Sequence, residues 1–344
     1  MRVLYASRSR SGHDERFIAA WTAAGWQVSA LTLDGSNASL AELQHELDVF
    51  RPDVVQAGPV TDVAWHVAQC WAGPLIATSW GFDLMDEINR DRGLLSRASE
   101  VLVHADRVLV DNDAPRLRAI ELGADPDRLV QFPWGVDLDR FASRTADIRN
   151  VASEDLPRII LCTRRHEDIY GVDKVLRAFI NAAQANATIR LQLAGTGSLT
   201  AGLKQIAQES GLGDRVSFLG ELQPSELAEA YRSADLYVSA SSVDGTSVSL
   251  LEAMASGAPV LVSAIGGNQQ WVTSNTGFSF ALEDENALES FFARFALGEV
   301  ELVHELRRRS TNALELVRTK ADWSLNSKRL PKMGIAAINH RSGS

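Results

Sequence analysis

This chain has only two cysteines in 344 residues, Cys70 and Cys162. They lie far apart, each in an apolar run, which leaves no disulfide framework and no thiolate metal centre. Both read as buried thiols in a reducing compartment. Basic charge is also in short supply. The formal net charge is −10 and no basic tract breaks the sequence, which argues against a nucleic-acid partner. No apolar run approaches the roughly 20 residues of a membrane-spanning helix. Met1 leads directly into an apolar strand pattern, without the basic and apolar regions of a leader. These absences point to a cytoplasmic protein, free or in peripheral contact with the inner membrane face. No short-period repeat is present, so a solenoid is excluded.

What is present is apolar residues, 45% of the chain, enough for two cores in a chain of this length. Short apolar runs alternate with amphipathic ones. Residues 2–6, 28–33, 54–57, 75–78 and 108–110 read as strands, and 17–24, 40–50, 63–71 and 115–122 as helices. Strands recur at 159–162, 190–194, 216–219, 236–240 and 260–262, followed by a helical tail over 286–318. Such alternation predicts parallel sheets with helices on both faces. The aperiodic polar stretch from Arg144 to Asp155 is the expected linker, dividing the chain into 1–148 and 149–320. A further short segment follows at about 321–334, and the residues from about Met333 onward read as a frayed end.

The densest chemistry lies in Leu236–Val272, LYVSASSVDGTSVSLLEAMASGAPVLVSAIGGNQQWV. A strand ends in a small polar loop containing Asp244 and Gly245. Thr246 or Ser247 can cap a helix that stops at Gly257, before a second strand. Ligands bind outside the carboxyl ends of such strands. Gly245 lets the backbone come close to a ligand, and the N–H groups of Ser247 and Val248 favour an anion. Glu252 follows Asp244 by eight positions. That separation suits two ends of one extended ligand better than a tight acid/base pair. From spacing alone, an ordinary strand–helix–strand unit with a solvated Glu accounts for the pattern as well.

The wording of the stretch resembles the donor-binding segment of the family-4 retaining glycosyltransferases of GT-B fold. Their signature is an acid, seven residues, then Glu, with Ala-Met-Ala, a small residue, Gly and a Pro-Val strand after it. Here it stands as Asp244 to Glu252 and AMASGAPVLVS, with Asp where the first acid is usually Glu. The resemblance implies an α/β chain of two Rossmann-like domains facing a cleft. The first would be the acceptor domain, completed by a C-terminal helix at about 321–334 that crosses back onto it, where Trp323 matches an aromatic of the family's last helix. The second would hold a nucleotide-sugar donor. Asp244 would then contact the donor sugar's hydroxyls, Glu252 the ribose, and Arg164, at the end of LCTRR, the diphosphate. Gly195, in Gly195-Thr196-Gly197, and the backbone around Glu221 and Leu222 would line the nucleotide side, with Gly245, Thr246, Ser247 and Val248 beside them.

The implied reaction is front-face transfer of a sugar to an acceptor hydroxyl with retention, metal-independent and with no cofactor besides the donor. Arg164 and Asp244 would be the catalytic residues. The acceptor would be a glycan, a lipid-linked glycan or a small molecule. Asp137-Leu138-Asp139 matches an Asp-x-Asp metal triplet, but in an acid-rich chain, near a linker, it is rejected as a metal site.

Several positions depart from the family. Tyr170 stands where a Lys beside the diphosphate is usual, with Arg165, His166 and Lys174 as candidates to replace its charge. Trp80 stands for the His of a His-Gly-x-Asp segment, and can stack on a sugar but not transfer a proton. With Asp83 and His13 it would wall the sugar or acceptor. The first loop has one glycine, Gly12, where two are usual. Pro133-Trp134-Gly135 replaces Pro-Asn-Gly, and Gln269 and Gln270 stand near a usual Glu. Tyr231 reads as core. These departures keep open a nucleotide-sugar-binding protein with little activity. The incomplete glycine motif at 195–200 keeps open an NAD-dependent oxidoreductase.

Overall fold

The computed structural model describes residues 1–142, 158–186, 188–284 and 286–343. The expected linker, Arg144–Asp155, lies outside them. The chain forms two units, Met1–Trp134 with Trp323–Ser344, and Gly135–Asp322.

In the first unit, six parallel strands alternate with helices: β1 (Arg2–Ser7), β2 (Gln27–Thr32), β3 (Val54–Gly58), β4 (Leu75–Thr78), β5 (Arg107–Val110) and β6 (Leu129–Gln131). Their order across the sheet is β2-β1-β3-β4-β5-β6. The middle strands are mostly apolar because helices cover both faces, and their polar members Gln56 and Thr78 are buried and hydrogen-bonded to each other. β3 and β4 are wholly buried, and one face packs on Leu43, Leu47, Val63, Val67, Val101 and Leu102 of the helices.

The second unit repeats the scheme with β7 (Arg158–Cys162), β8 (Ile189–Ala194), β9 (Val216–Gly220), β10 (Leu236–Ser239), β11 (Val260–Ser263) and β12 (Phe278–Phe280), in the order β12-β11-β10-β7-β8-β9. The first strand of this unit is central and the chain winds outward from it on both sides, the doubly wound arrangement. The helical tail is two helices, Ala287–Leu297 and Val300–Lys320, separated at Gly298. Gly298 has φ +67°, and a Cβ there would run into the Arg158 guanidinium.

Three expectations need correction. Cys70 is exposed at a helix end, whereas Cys162 is buried and its thiol is pushed up to about 11 by that burial. A helix not expected from the sequence spans Arg92–His104. The end of the chain is not frayed: Arg329–Gly343 is a helix that buries Leu330, Met333, Gly334 and Ala337 in the first unit. It is tied there by Asp106, which pairs with His340 at 2.8 Å and Arg341 at 3.1 Å. Among the described residues, no helix is long and apolar enough to cross a membrane.

A Cβ at Gly334 would lie 2.7 Å from Trp21 and 3.1 Å from Trp26. Gly334→Ile is therefore expected to lower stability by about 1–3 kcal/mol through overpacking. An unchanged thermal unfolding midpoint would mean that this helix is not docked.

Candidate functional site

The order of the second sheet reverses between β7 and β10, so the loops leaving these two strands diverge. The opening between such loops is where doubly wound sheets hold ligands. The loop after β7 carries Arg164 and the loop after β10 carries Asp244.

The two side chains form an ion pair, Nη2 to Oδ2, at 2.7 Å, with only 10% and 20% of their side-chain surfaces exposed. Arg164 Nη1 donates to Ser247 Oγ and Ser249 Oγ, each at 2.9 Å. The Arg164 guanidinium lies over the Tyr170 ring, 4.2 Å from Cζ to the ring centroid. Ser249 Oγ is also 2.9 Å from the Tyr237 hydroxyl and 3.0 Å from Ser247 Oγ. Arg164 is thus held in its plane by a ring and along its edge by three groups. Burial raises the Asp244 carboxyl above its usual range, while Arg164, the next largest influence, holds it down.

Ser247 occupies the N-cap position of the helix Val248–Ala255, but its hydroxyl serves Arg164 and makes no cap. No side chain is spent on closing this helix N-terminus, which points its positive end toward the loop.

The residue before Arg164 begins a second chain of contacts. Thr163 Oγ1 lies 2.8 Å from the Tyr231 hydroxyl, which donates to Glu252 Oε2 at 3.1 Å. Tyr231 is fully buried, as expected of a core residue, but its hydroxyl also orients Glu252. Thr163, Tyr231, Tyr237 and Ser249 did not emerge as site residues from the sequence. The clustered hydroxyls of Thr246-Ser247-Val248-Ser249 were the one visible signal.

The glycines bring the loops together. A Cβ at Gly195 (φ +109°) would lie 2.9 Å from the Arg164 carbonyl oxygen, and one at Gly197 would collide with the His166 carbonyl. A Cβ at Gly267 would collide with the carbonyls of Asp244 and Gly245. Gly195 and Gly197 are therefore required by the neighbouring loop, which explains the incomplete dinucleotide motif without a dinucleotide. Thr246 is buried and accepts from Gln270 at 3.2 Å. Glu221 is exposed and accepts from Thr196 at 3.0 Å, while Leu222 packs partly on the core beside Tyr231. Of the candidates to replace a cation at Tyr170, Arg165 and Lys174 are exposed, and His166 is buried with its Nδ1 2.9 Å from Thr200 Oγ1. Burial lowers the His166 pKa, so its ring is a poor substitute for a cation.

In the first unit, Trp80 is half-buried against Phe17 (5.7 Å between centroids), Trp134 (5.4 Å) and His13 (6.2 Å). The tryptophans replacing the family's His and Asn therefore touch each other. Trp323 joins them through Phe17, under the Arg16 guanidinium. Gly12 is exposed, and a Cβ there would meet nothing within 4 Å. Asp83 is not a wall residue. It is wholly buried and accepts from Ser79 Oγ (2.7 Å), Val60 N (2.9 Å) and Leu84 N (3.0 Å), holding the turn after β4. Asp137 bonds the Arg140 amide at 3.1 Å, and among the described residues no three His, Cys, Asp or Glu side chains gather as metal ligands.

Residues 143–313 match the profile described as glycosyl transferases group 1. The chain is 29% identical over 301 residues to a D-inositol 3-phosphate glycosyltransferase of Geodermatophilus obscurus, covering 81% of this chain and 66% of that one. It is 32% identical over 218 residues to the enzyme of the same name from Mycobacterium bovis, covering 60% of this chain and 45% of that one. The chain thus spans less than two thirds of the length of these relatives. Among solved structures it is similar to sucrose-phosphate synthase from Thermosynechococcus elongatus, with TM-score 0.79, 20% identity and coverage of 97% and 98%. It is similar also to Anabaena HepE in complex with UDP-glucose, with TM-score 0.78, 17% identity and coverage of 96% and 98%. At these identities the likeness is one of fold.

The loop contact at Gly267 can be tested without any ligand. Gly267→Ala is expected to lower stability by about 1–3 kcal/mol, because backbone carbonyls must move to admit the methyl group. Gly202→Ala, in a helix with nothing within 4 Å of the new Cβ, serves as the control and is expected to be neutral or stabilising. Equal unfolding midpoints for the two variants would contradict the loop packing.

Proposed function

The chain belongs to the glycosyl transferases group 1 and has their GT-B fold, and on that premise we propose that it transfers a sugar from a nucleotide-sugar donor to an acceptor hydroxyl. The donor binds at the opening between β7 and β10. Arg164 and the amides at the start of the helix Val248–Ala255 receive the diphosphate, Glu252 the ribose hydroxyls, and Asp244 the sugar. The observation that carries this reading is the fixed guanidinium of Arg164 beside an uncapped helix N-terminus.

The leaving diphosphate gains negative charge as the glycosidic bond breaks. Groups already oriented toward that charge stabilise the transition state without reorganising. Arg164 needs no reorientation, because Tyr170 and the two serines hold it. The transfer runs with retention, the acceptor hydroxyl attacking from the face the diphosphate leaves, and it runs without a metal because Arg164 and the helix amides supply the positive potential. The acceptor is a small polyol, a glycan or a lipid-linked glycan bound by the first unit, with Trp80 and His13 as a stacking surface. The names of the relatives make inositol phosphates the first small molecules to try.

Tyr170 in place of a cation also favours a weaker reading, a nucleotide-sugar-binding protein with little turnover. Kinetics separate the two. Arg164→Ala is expected to lower turnover about a hundredfold or more, the scale of losing one strong oxyanion donor. Tyr170→Phe keeps the ring under Arg164 and is expected to do much less. Near-normal turnover in Arg164→Ala, with loss in Arg165→Ala or Lys174→Ala, would place the diphosphate elsewhere. Wild-type protein that binds donor but turns over none supports the weaker reading.

Glu252→Gln is expected to weaken binding of free nucleotide by roughly ten- to a hundredfold, as a charge-assisted bond to ribose is lost. Unchanged affinity in titration calorimetry would remove the ribose assignment. Activity is expected to persist in a chelator. Loss of activity on chelation with recovery on adding Mn²⁺ or Mg²⁺ would overturn the metal-independent route.

A further inference from the structure

The donor reading gives Arg164 and Asp244 different tasks, one on the diphosphate and one on the sugar. In the structure the two are spent on each other, at 2.7 Å. Resting on that reading, we propose that the Arg164–Asp244 pair is a latch that a whole nucleotide sugar opens more readily than a nucleoside diphosphate does. The site then favours the donor over the product that transfer leaves behind.

The asymmetry follows from how each partner is held. Arg164 is fixed by Ser247, Ser249 and the Tyr170 ring, so an arriving phosphate must displace the carboxylate. Asp244 sits in a loop before the buried Gly245, with 20% of its side-chain surface exposed, and its carboxylate also takes hydrogen bonds from the Ser247 hydroxyl and the Gly245 amide. Its Oδ2, the atom facing Arg164, has no hydrogen-bond donor beyond that ion pair. Separating the pair leaves a nearly buried carboxylate without its counter-charge, which is costly unless new donors reach it. A donor sugar brings hydroxyls to that carboxylate, and a nucleoside diphosphate brings only more negative charge.

Tyr170 sharpens the effect. A lysine at that position would give the diphosphate a cation independent of Asp244, whereas Tyr170 adds none. Arg165 and Lys174 are exposed. The diphosphate therefore depends on the one guanidinium that Asp244 already holds.

The test measures dissociation constants by calorimetry for UDP, GDP and ADP, each with its hexose conjugate. For the wild type, a conjugate is expected to bind more tightly than its nucleoside diphosphate. Asp244→Asn removes the charge that competes for Arg164, so affinity for the free diphosphate is expected to rise about tenfold, a change of about one unit in log Kd. The preference for the conjugate is expected to shrink or invert. Unchanged or weakened diphosphate binding in a folded Asp244→Asn protein overturns the latch. A second measurement needs no variant. Saturating free hexose supplies hydroxyls to Asp244 and is expected to tighten diphosphate binding by the wild type, and independent binding of the two overturns the proposal. If none of the nucleotides or conjugates binds the wild type, or if Arg164→Ala binds them as well as the wild type does, the donor reading itself fails.

Discussion

The second unit is arranged around one ion pair at the point where its sheet changes direction. β7 and β10 are neighbours, but the chain leaves them in opposite directions, so the loops at their ends part and leave backbone groups and side chains facing an opening. Arg164 and Asp244 close that opening electrostatically. A lone guanidinium or carboxylate this far from water would be expensive, and each makes the other tolerable. Their neighbours follow from the same need. Ser247 and Ser249 satisfy one edge of the guanidinium, Tyr237 supports Ser249, and Tyr170 covers the face. Gly195, Gly197 and Gly267 sit where the surrounding loops press backbone against backbone.

The consequence for chemistry is that binding at this site is an exchange. Any anion that takes Arg164 must leave Asp244 with other partners. On the proposed reading, a few hydroxyl groups on a ligand change which molecule the site prefers, and they lie at the end of a nucleotide sugar that transfer removes. Beside this pair, Thr163, Tyr231 and Glu252 form a separate line of hydrogen bonds from the preceding position on the same strand end. Consecutive residues of one loop thereby fix Arg164 and, through Tyr231, Glu252.

Much of the fold was legible because a buried parallel strand and a covering helix have different periods, and long elements repeat those periods often enough to be seen. β6 and β12 are three residues each, too short to show any. The last helix runs on to Gly343, past the point where the chain end reads as frayed, although it contains Pro331 and Gly334. Proline is tolerated in a first helical turn, and Gly334 is where Trp21 and Trp26 pack. In the site, Asp244 and Glu252 were visible because both lie in one continuous phrase. Their use was less visible. Arg164 and Asp244 are eighty positions apart, and nothing in the spacing says that they meet. Asp83 sat in a familiar phrase, yet its oxygens are consumed by Ser79, Val60 and Leu84. The glycines at 195 and 197 read as places where something comes close, and the neighbouring loop backbone at Arg164 and His166 does so.

A crystal structure of the protein with an intact nucleotide sugar tests the central claim most directly. The account predicts diphosphate oxygens within hydrogen-bond distance of the Arg164 guanidinium, which stays on Tyr170. It predicts the Asp244 carboxylate turned from Arg164 onto sugar hydroxyls. A bound donor whose phosphates lie on Arg165 or Lys174, with the Arg164–Asp244 pair still at its present 2.7 Å, would contradict it.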